Sequence, residues 1–201
     1  MLLNGAVIYF HDKIIYRDPL DKALVQKICA TSKAHNMEYT LQSDEQAYVH
    51  RDFKYILDRL ALYGIFAKQL CLDFDEDSID VYKMEIDSPY NADKQYILDI
   101  LPDSMTYVEE LNSVHCHIEV YAKRNSKATG ILHVLDLLNI DVKDSYAFGD
   151  GDNDIEMLST VGLSMAMGNA TPKAKAAAKI IVPTILEDGV AYGIEKYILD
   201  K

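Results

Sequence analysis

The sequence predicts an α/β protein made of an α+β region followed by a parallel sheet with crossover helices. Three observations support this prediction: 49% of the 201 residues are hydrophobic, strand and helix patterns alternate regularly after residue 123, and the earlier part mixes helices with strand pairs. Regular alternation with short connections is typical of a parallel sheet. We expect an α+β domain over residues 7–121 and a second domain formed by residues 1–6 and 122–201.

The first region begins with a β-hairpin pattern and continues with helices between strand pairs. Residues 20–35 and 53–61 carry apolar side chains at helical spacing, whereas residues 81–86 alternate like a strand. The predicted strands are 6–10, 14–16, 37–41, 81–86, 105–111 and 115–121, and the predicted helices are 20–35, 53–61 and 91–101.

The second region repeats strand and helix along its whole length. Ser126 or Lys127 opens a helix with an apolar stripe, and Ile140 and Asp141 end it. The predicted strands are 145–148, 163–167 and 180–182, and the later helices are 155–160, 172–178 and 190–199. This order predicts half of a doubly wound domain.

Composition excludes several classes of function. The formal net charge of −12 is a poor match to nucleic acid or to an anionic membrane surface. No segment has 18 uninterrupted apolar residues, and the three cysteines lack metal-ligand spacing. His115 and His117 have no evident third and fourth metal ligand. We therefore expect a cytoplasmic protein with reduced thiols that acts on small molecules or a soluble partner.

Residues 149–154, Gly-Asp-Gly-Asp-Asn-Asp, carry three carboxylates and one carboxamide directly after a predicted strand. A turn between an apolar strand and a helix lies at the carboxyl ends of the strands, where open α/β sheets bind ligands. Oxygen ligands suit a hard cation, so the stretch is a candidate cation site. Turn and capping roles are the alternative, but capping needs one or two such side chains rather than four.

Spacing excludes two other ligand motifs. An EF-hand loop that starts at Asp150 requires glycine at its sixth position and glutamate at its twelfth, where this chain has Ile155 and Val161. A dinucleotide fingerprint requires a third glycine where Asp154 stands, and carboxylates without a metal would repel a pyrophosphate. A Mg²⁺ site that a substrate phosphate completes is the interpretation that remains.

The chain resembles a known family. Residues 148–154, with Met-Leu after them and Ala-Met-Gly-Asn-Ala at 166–170, strongly resemble motif IV and its downstream segment in the haloacid dehalogenase superfamily, in particular the Cof-type sugar-phosphate phosphatases. Ser-Lys-Ala-Thr-Gly at 126–130 is similar to motif III of that subgroup, with Ala128 where glycine is usual. Glu-Asp-Gly-Val at 187–190 and Asn-Gly-Ala at 4–6 resemble two further family segments. The resemblance implies a partial Rossmann-like core with a C2-type cap domain over residues 7–121.

The resemblance also implies the roles of individual residues. Asp150 and Asp154 are expected to bind Mg²⁺, and Asn153 is expected to orient the phosphate or the metal shell. Lys127 is expected to neutralise charge between the nucleophile and the phosphoryl group of a small phosphorylated metabolite. Substrate-binding candidates are Asn4 and Asn169.

One family segment is missing from the sequence. The family nucleophile and the general acid/base lie in an Asp-x-Asp-Gly-Thr segment, which does not occur here. The Asp-x-Asp at 73–75 lacks the following Gly-Thr and is interpreted as part of an acidic surface loop. We expect a chain that begins after the first core strands and is not a competent phosphatase alone. Self-association or a companion N-terminal fragment would then cover the exposed apolar surface. The alternative function is a non-catalytic ligand-binding or regulatory module that pairs with another chain.

Overall fold

The computed structural model describes residues 2–50, 71, 73–109 and 116–199. The predicted helix over 53–61, residues 110 and 111 of a predicted strand, and His115 lie outside the described residues. The chain forms two compact units. Residues 9–124 make up the inserted unit, and residues 3–8 together with 125–201 make up the discontinuous unit.

The inserted unit is built around an antiparallel sheet. Its five strands are β3 (Glu38–Gln42), β4 (Ala47–His50), β5 (Lys83–Ser88), β6 (Met105–Glu109) and β7 (Cys116–Ala122), in the spatial order β4-β3-β5-β7-β6. The register pairs Ile86 of β5 with Tyr39 of β3 and with Ile118 of β7. These three side chains are fully buried, so the centre of the sheet lies in the core of the unit.

Two helices pack against this sheet. They are α1 (Lys22–Ala34) and α2 (Lys94–Leu98). Asp21 caps α1 by accepting a hydrogen bond from the Leu24 amide at 2.9 Å. Ile28 of α1 and Ile97 of α2 are fully buried in the same apolar cluster as Ile118. Burial of one helix face against the sheet is therefore what holds this unit together.

A separate two-stranded sheet joins β1 (Val7–Phe10) to β2 (Lys13–Arg17). His11 and Asp12 form the turn with φ values of 47° and 59°. Left-handed backbone at both central positions is the geometry that tight hairpin turns require. The hairpin that the sequence predicts is therefore formed.

The discontinuous unit holds a parallel sheet. Its strands are β8 (Tyr146–Gly149), β9 (Leu163–Ala166) and β10 (Ile180–Ile181), in the order β10-β9-β8. Four helices connect or flank these strands: α3 (Lys127–Leu138), α4 (Ile155–Thr160), α5 (Pro172–Ala177) and α6 (Gly189–Ile194). Both strand pairs are parallel. The predicted strand and helix alternation is confirmed, and β8 lies at an edge of this sheet among the described residues.

Several predicted elements differ in extent. The helix predicted over 91–101 is a 3₁₀ turn at Asn91–Asp93 followed by the short α2, and Asp99 ends it before Pro102. The helix predicted over 190–199 is α6 followed by a π-helical turn at Glu195–Leu199. Strand β4 is missing from the sequence-based prediction because its four residues show too short a pattern to detect.

Candidate active site

The acidic loop occupies the carboxyl end of β8. The strand ends at Gly149, a 3₁₀ turn covers Asp152–Asp154, and α4 begins at Ile155. A Cβ atom at Gly149 would lie 2.7 Å from the Cβ of Asp154, so only glycine lets the loop fold back this closely. The sequence therefore brings Asp154 directly beside the end of the strand.

Asp154 organises the loop from inside. Its side chain is buried, and Oδ2 accepts hydrogen bonds from the backbone amides of Asp150 at 2.9 Å and Gly151 at 3.0 Å. Its Oδ1 lies 2.5 Å from Lys127 Nζ. Burial alone opposes ionisation, but the hydrogen bonds from Lys127, Gly151 and Asp150 outweigh it and hold the pKa of Asp154 below its ordinary value. The carboxylate is thus kept charged and fixed.

Lys127 is held in position by the start of α3. Ser126 caps this helix: its hydroxyl accepts a hydrogen bond from the Thr129 amide at 3.2 Å, and the Ser126 amide donates to Thr129 Oγ1 at 2.9 Å. This reciprocal capping box fixes the first turn. The Lys127 side chain is 31% exposed, so it remains accessible to solvent while its Nζ contacts Asp154.

Asp150 is an exposed residue whose backbone amide contacts the carboxylate of this ion pair. Its backbone is fixed on both sides, because its amide donates to Asp154 and its carbonyl accepts from the Thr171 amide at 2.9 Å. Asn153 is exposed in the same loop. The structure therefore places Lys127, Asp150, Asn153 and Asp154 at one end of the sheet.

The donor chemistry of the loop fits Mg²⁺. Asp150 offers oxygen donors at the surface, and a carboxylate oxygen such as Oδ1 of Asp154 can accept a further contact besides its lysine. Mg²⁺ is held in proteins by one or two carboxylates with waters and substrate phosphate. Across the described part of the chain no three His, Cys, Asp or Glu side chains lie close enough together to hold an ion, so a Mg²⁺ bound here would need waters or a substrate phosphate for its remaining ligands.

The substrate-binding candidates lie on neighbouring turns. Asn4 is half-buried in a 3₁₀ turn, with a left-handed φ of 54°. The next residue, Gly5, has a φ of 88°, and a Cβ there would lie 2.5 Å from the Ser126 carbonyl oxygen. Asn169 is exposed, and its Oδ1 accepts a hydrogen bond from the Ile185 amide at 3.0 Å. Gly5 therefore brings the Asn4 turn against the start of α3, while Asn169 serves a loop connection.

Two residues beside the acidic loop have no role in the sequence-based interpretation. Thr171 donates its hydroxyl to Asp152 Oδ1 at 2.7 Å, and Lys173 Nζ lies 3.0 Å from Asp152 Oδ2. The Asp152 carboxylate is therefore paired with the start of α5. The N-cap pattern Thr171-Pro172 is visible in the sequence, but its contact with Asp152 depends on the fold.

The acidic segment at 73–77 has a structural role in the inserted unit. Asp75 caps a 3₁₀ turn by accepting from the Asp77 amide at 3.1 Å. Glu76 accepts a hydrogen bond from the hydroxyl of the buried Tyr39 and lies 2.8 Å from Lys33 Nζ. These contacts tie the segment to α1 and β3, which is more than the surface role that the sequence suggests.

His117 also serves the inserted unit. It is buried, and its Nδ1 lies 2.9 Å from Asp87 Oδ1 on the adjacent strand. This pairing is the structural role that the sequence favours over a metal site.

Within the described residues no helix is long and apolar enough to cross a membrane.

Comparison with known proteins assigns the chain to a family. The profile of the haloacid dehalogenase-like hydrolases matches residues 1–194. The match covers nearly the whole chain, and the parallel sheet with an acidic loop at its carboxyl end agrees with it. The chain belongs to the haloacid dehalogenase-like hydrolase family.

Relatives with phosphatase names support this assignment. The "Putative phosphatase YkrA" of Bacillus subtilis (strain 168) is 27% identical over 204 residues, which cover 96% of this chain and 73% of YkrA. The 5-amino-6-(5-phospho-D-ribitylamino)uracil phosphatase YitU of the same organism is 28% identical over 184 residues, which cover 89% of this chain and 66% of YitU.

Solved structures show the same fold. A protein of Geobacillus kaustophilus HTA426 superposes with a TM-score of 0.82 at 27% identity, over 96% of this chain and 73% of that one. The subclass IIB sugar phosphatase BT4131 superposes with the same TM-score of 0.82 at 20% identity and with the same coverage. The expected α/β architecture of a Rossmann-like haloacid dehalogenase protein is confirmed.

Proposed function

We propose that this chain forms the Mg²⁺-binding and lysine-bearing side of a phosphatase site for small phosphorylated metabolites. The observation that carries the proposal is the Lys127–Asp154 ion pair beside the exposed carboxylate of Asp150. Phosphoryl transfer requires compensation of negative charge on the phosphoryl oxygens and correct positioning of the reacting groups. A fixed lysine and a pair of carboxylates for a cation are the groups that provide this.

Lys127 is the phosphate-facing group in this proposal. Its ammonium already lies against Asp154, and its partial exposure leaves donors for a phosphoryl oxygen. Asp154 holds the lysine in place from the buried side. The lysine therefore does not have to be ordered when the substrate binds, which lowers the entropic cost of binding.

Asp150 is the direct metal ligand, and Asp154 is the second acidic contact. A bound Mg²⁺ would supply Lewis-acid stabilisation of the phosphoryl oxygens. Asn153 is exposed in the same loop and can contact the phosphate or a metal-bound water. Asn4 and Asn169 are proposed substrate contacts on the neighbouring turns.

We propose that the nucleophile is supplied from outside these 201 residues. The sequence contains no Asp-x-Asp-Gly-Thr segment, and Asp75 of the Asp-x-Asp at 73–75 caps a 3₁₀ turn within the inserted unit. A phosphatase of this type needs a carboxylate to accept the phosphoryl group. We propose that a companion segment or a second chain supplies that carboxylate beside β8.

Phosphorylated sugars and sugar alcohols are the first substrates to test. BT4131 is described as a sugar phosphatase, and YitU is named for a phospho-ribitylamino substrate. Sugar phosphates and the phospho-ribitylamino compound are both small phosphorylated molecules. The net charge of −12 argues against a nucleic-acid substrate.

A complementation assay tests this function. Purified chain is mixed with a synthetic peptide that carries the Asp-x-Asp-Gly-Thr segment of a full-length family member, and release of inorganic phosphate is measured over a panel of sugar phosphates. We expect turnover only when both the peptide and Mg²⁺ are present. Asp150→Asn and Lys127→Met should each reduce the rate at least about 100-fold, in line with the loss of an electrostatic stabiliser.

Lys143→Met is the matched control, because Lys143 pairs with Asp141 on the exposed surface. This variant should retain the rate of the unmodified chain. Mg²⁺-dependent turnover by the chain without peptide would show that the nucleophile is present in it. Saturable binding of a sugar phosphate without any turnover in the complemented sample would favour a ligand-binding or regulatory module instead.

A further inference from the structure

Asp152, the third carboxylate of the acidic loop, makes contacts that Asp150 and Asp154 do not share. Asp152 stands between Asp150 and Asp154, yet these three carboxylates do not form a three-ligand group. Both oxygens of Asp152 have partners on the start of α5: Oδ1 accepts from Thr171 Oγ1 and Oδ2 pairs with Lys173. The family motif alone does not assign this side chain.

Thr171 connects α5 to the loop at two points. Its backbone amide donates to the Asp150 carbonyl at 2.9 Å, and its hydroxyl donates to Asp152. The same hydroxyl accepts a hydrogen bond from the Ala174 amide at 3.2 Å, which caps α5. The donor and one acceptor position of the hydroxyl are thus both in use, so its direction is fixed by the helix.

We propose that Asp152 is a positioning residue that acts through Thr171 to fix the direction of the Asp150 carboxylate, and that it does not bind the metal. This inference rests on the proposed function, in which Asp150 is the direct ligand. The peptide group of Asp150 is held by Asp154 on its amide side and by Thr171 on its carbonyl side. The Asp152–Thr171 hydrogen bond keeps Thr171 in place. Because the Thr171 amide donates to the Asp150 carbonyl, the Asp150 backbone is held in place as well.

The two contacts to Asp152 are unequal. Lys173 and Asp152 are 75% and 41% exposed at their side chains, and exposed ion pairs contribute little. The hydroxyl-to-carboxylate bond is short and charge-assisted, and it belongs to a helix cap. The positioning effect therefore depends on Thr171, and Lys173 provides a control.

Binding of Mg²⁺ to the purified chain, measured by calorimetry, tests the proposal. Asp152→Ala and Thr171→Val should each weaken Mg²⁺ binding about tenfold, as the loss of an outer partner of a ligand does. Thr171→Ser keeps the hydroxyl and should restore the affinity, and Lys173→Met should leave it within about threefold. The double variant should bind no more weakly than either single one, because both remove the same contact.

A spectroscopic measurement separates positioning from loss of stability. Mn²⁺ bound in place of Mg²⁺ should give a broadened paramagnetic resonance spectrum in Asp152→Ala and Thr171→Val, and the unmodified spectrum in Thr171→Ser. Thermal unfolding of each variant verifies that it is folded at the temperature of the titration. If Thr171→Val binds Mg²⁺ as well as or better than the unmodified chain while Asp152→Ala loses binding, Asp152 is itself a ligand and the proposal is wrong.

Asp150→Asn distinguishes the two proposals. If Asp150→Asn abolishes binding while Asp152→Ala and Thr171→Val bind normally, the positioning role fails and the metal site stands. If Asp150→Asn binds Mg²⁺ as the unmodified chain does, or if the unmodified chain binds none at millimolar concentration, both proposals are overturned.

Discussion

At the scale of single residues, the site depends on one glycine-assisted turn and one buried carboxylate. Gly149 lets Asp154 approach the end of β8, and Asp154 then satisfies two backbone amides and Lys127. A buried carboxylate with this many donors is stable as a charged group. These three hydrogen bonds therefore set both the shape of the loop and its electrostatics.

Gly5 provides a test of close packing beneath the Asn4 turn. Gly5→Ala should lower the free energy of unfolding by about 1–3 kcal/mol, because the φ of 88° is strained for alanine and the Cβ would lie 2.5 Å from a carbonyl oxygen. Urea unfolding measures the change. Gly151→Ala is the control, since its φ is not positive and the one close neighbour of its Cβ would be the movable amide of Asn153, with Asp154 Oδ2 at an ordinary contact distance of 3.9 Å. An equal loss in both variants would contradict the packing argument.

Glu76 makes the stability of the inserted unit depend on pH. Burial opposes its ionisation, but hydrogen bonds from Lys33 and Tyr39 and the charge of Lys33 hold the pKa of Glu76 below its ordinary value. Because the pKa is lower in the folded chain, the ionised group stabilises the fold above the unfolded value of about 4.3, and this contribution is lost as the pH falls through the folded pKa.

The corresponding experiment compares urea midpoints of the unmodified chain and Glu76→Gln between pH 7 and pH 3. The unmodified chain should be the more stable at pH 7, and the difference should shrink as the pH falls below about 4. Lys33→Met should weaken the same pH dependence, since it removes the main partner. A difference that stays constant over this range would rule out the role of the Glu76 charge.

Sequence reasoning reaches the individual site residues better than their partners. Lys127, Asp150 and Asp154 are predicted as site residues from motifs that are continuous in the sequence, and the structure brings the first and the last together in an ion pair. The contact between Asp152 and Thr171 links residues that are 19 positions apart and depends on how β8 and α5 are placed. No local pattern encodes such a contact, because short polar side chains serve caps and turns equally well.

At the scale of elements, capping decides where the site residues stand. Ser126 is the N-cap of α3, and its capping box with Thr129 places the first helical residue at Lys127. This boundary is predictable because the pattern of cap and apolar stripe is local. Strand β4 and the π-helical turn after α6 are not, because one is only four residues long and the other departs from the 3.6-residue period.

Ser126→Ala tests the cap. Loss of the side-chain acceptor should lower the free energy of unfolding by about 1 kcal/mol and leave Lys127 less well positioned. Ser159→Ala is the matched control, because that hydroxyl only donates back to the Ile155 carbonyl within α4, and its effect should stay within about 0.5 kcal/mol. Chemical unfolding measures both, and indistinguishable values would contradict the capping role.

At the scale of the whole molecule, the discontinuous unit exposes apolar side chains whose burial in an interface would be favourable. Leu137 and Leu138 at the end of α3 are 50% and 40% exposed, and Ile181 of β10, which lies at an edge of its sheet among the described residues, is 57% exposed. Apolar surface next to open sheet edges favours association. We propose that copies of the chain associate through this unit when no companion segment is present.

Sedimentation velocity checks this expectation. The mean sedimentation coefficient of the chain should rise with concentration over the micromolar range, and the double variant Leu137→Lys, Leu138→Lys should reduce that rise. Tyr90→Lys is the control, because this exposed side chain belongs to the inserted unit. A single monomeric boundary at every concentration would contradict association.

The packing of Gly5 against Ser126 and Gly130 also has a consequence for the order in which the chain folds during synthesis. The turn at residues 3–5 is made before residues 9–124, and its partners in α3 follow only after all of those residues have been made. Contacts with such a large sequence separation form late, since closing the intervening chain is entropically costly. The inserted unit can therefore be complete before the unit that bears Lys127 and Asp154 begins to close, so we expect the Lys127–Asp154 ion pair to form after the inserted unit on a ribosome-bound chain.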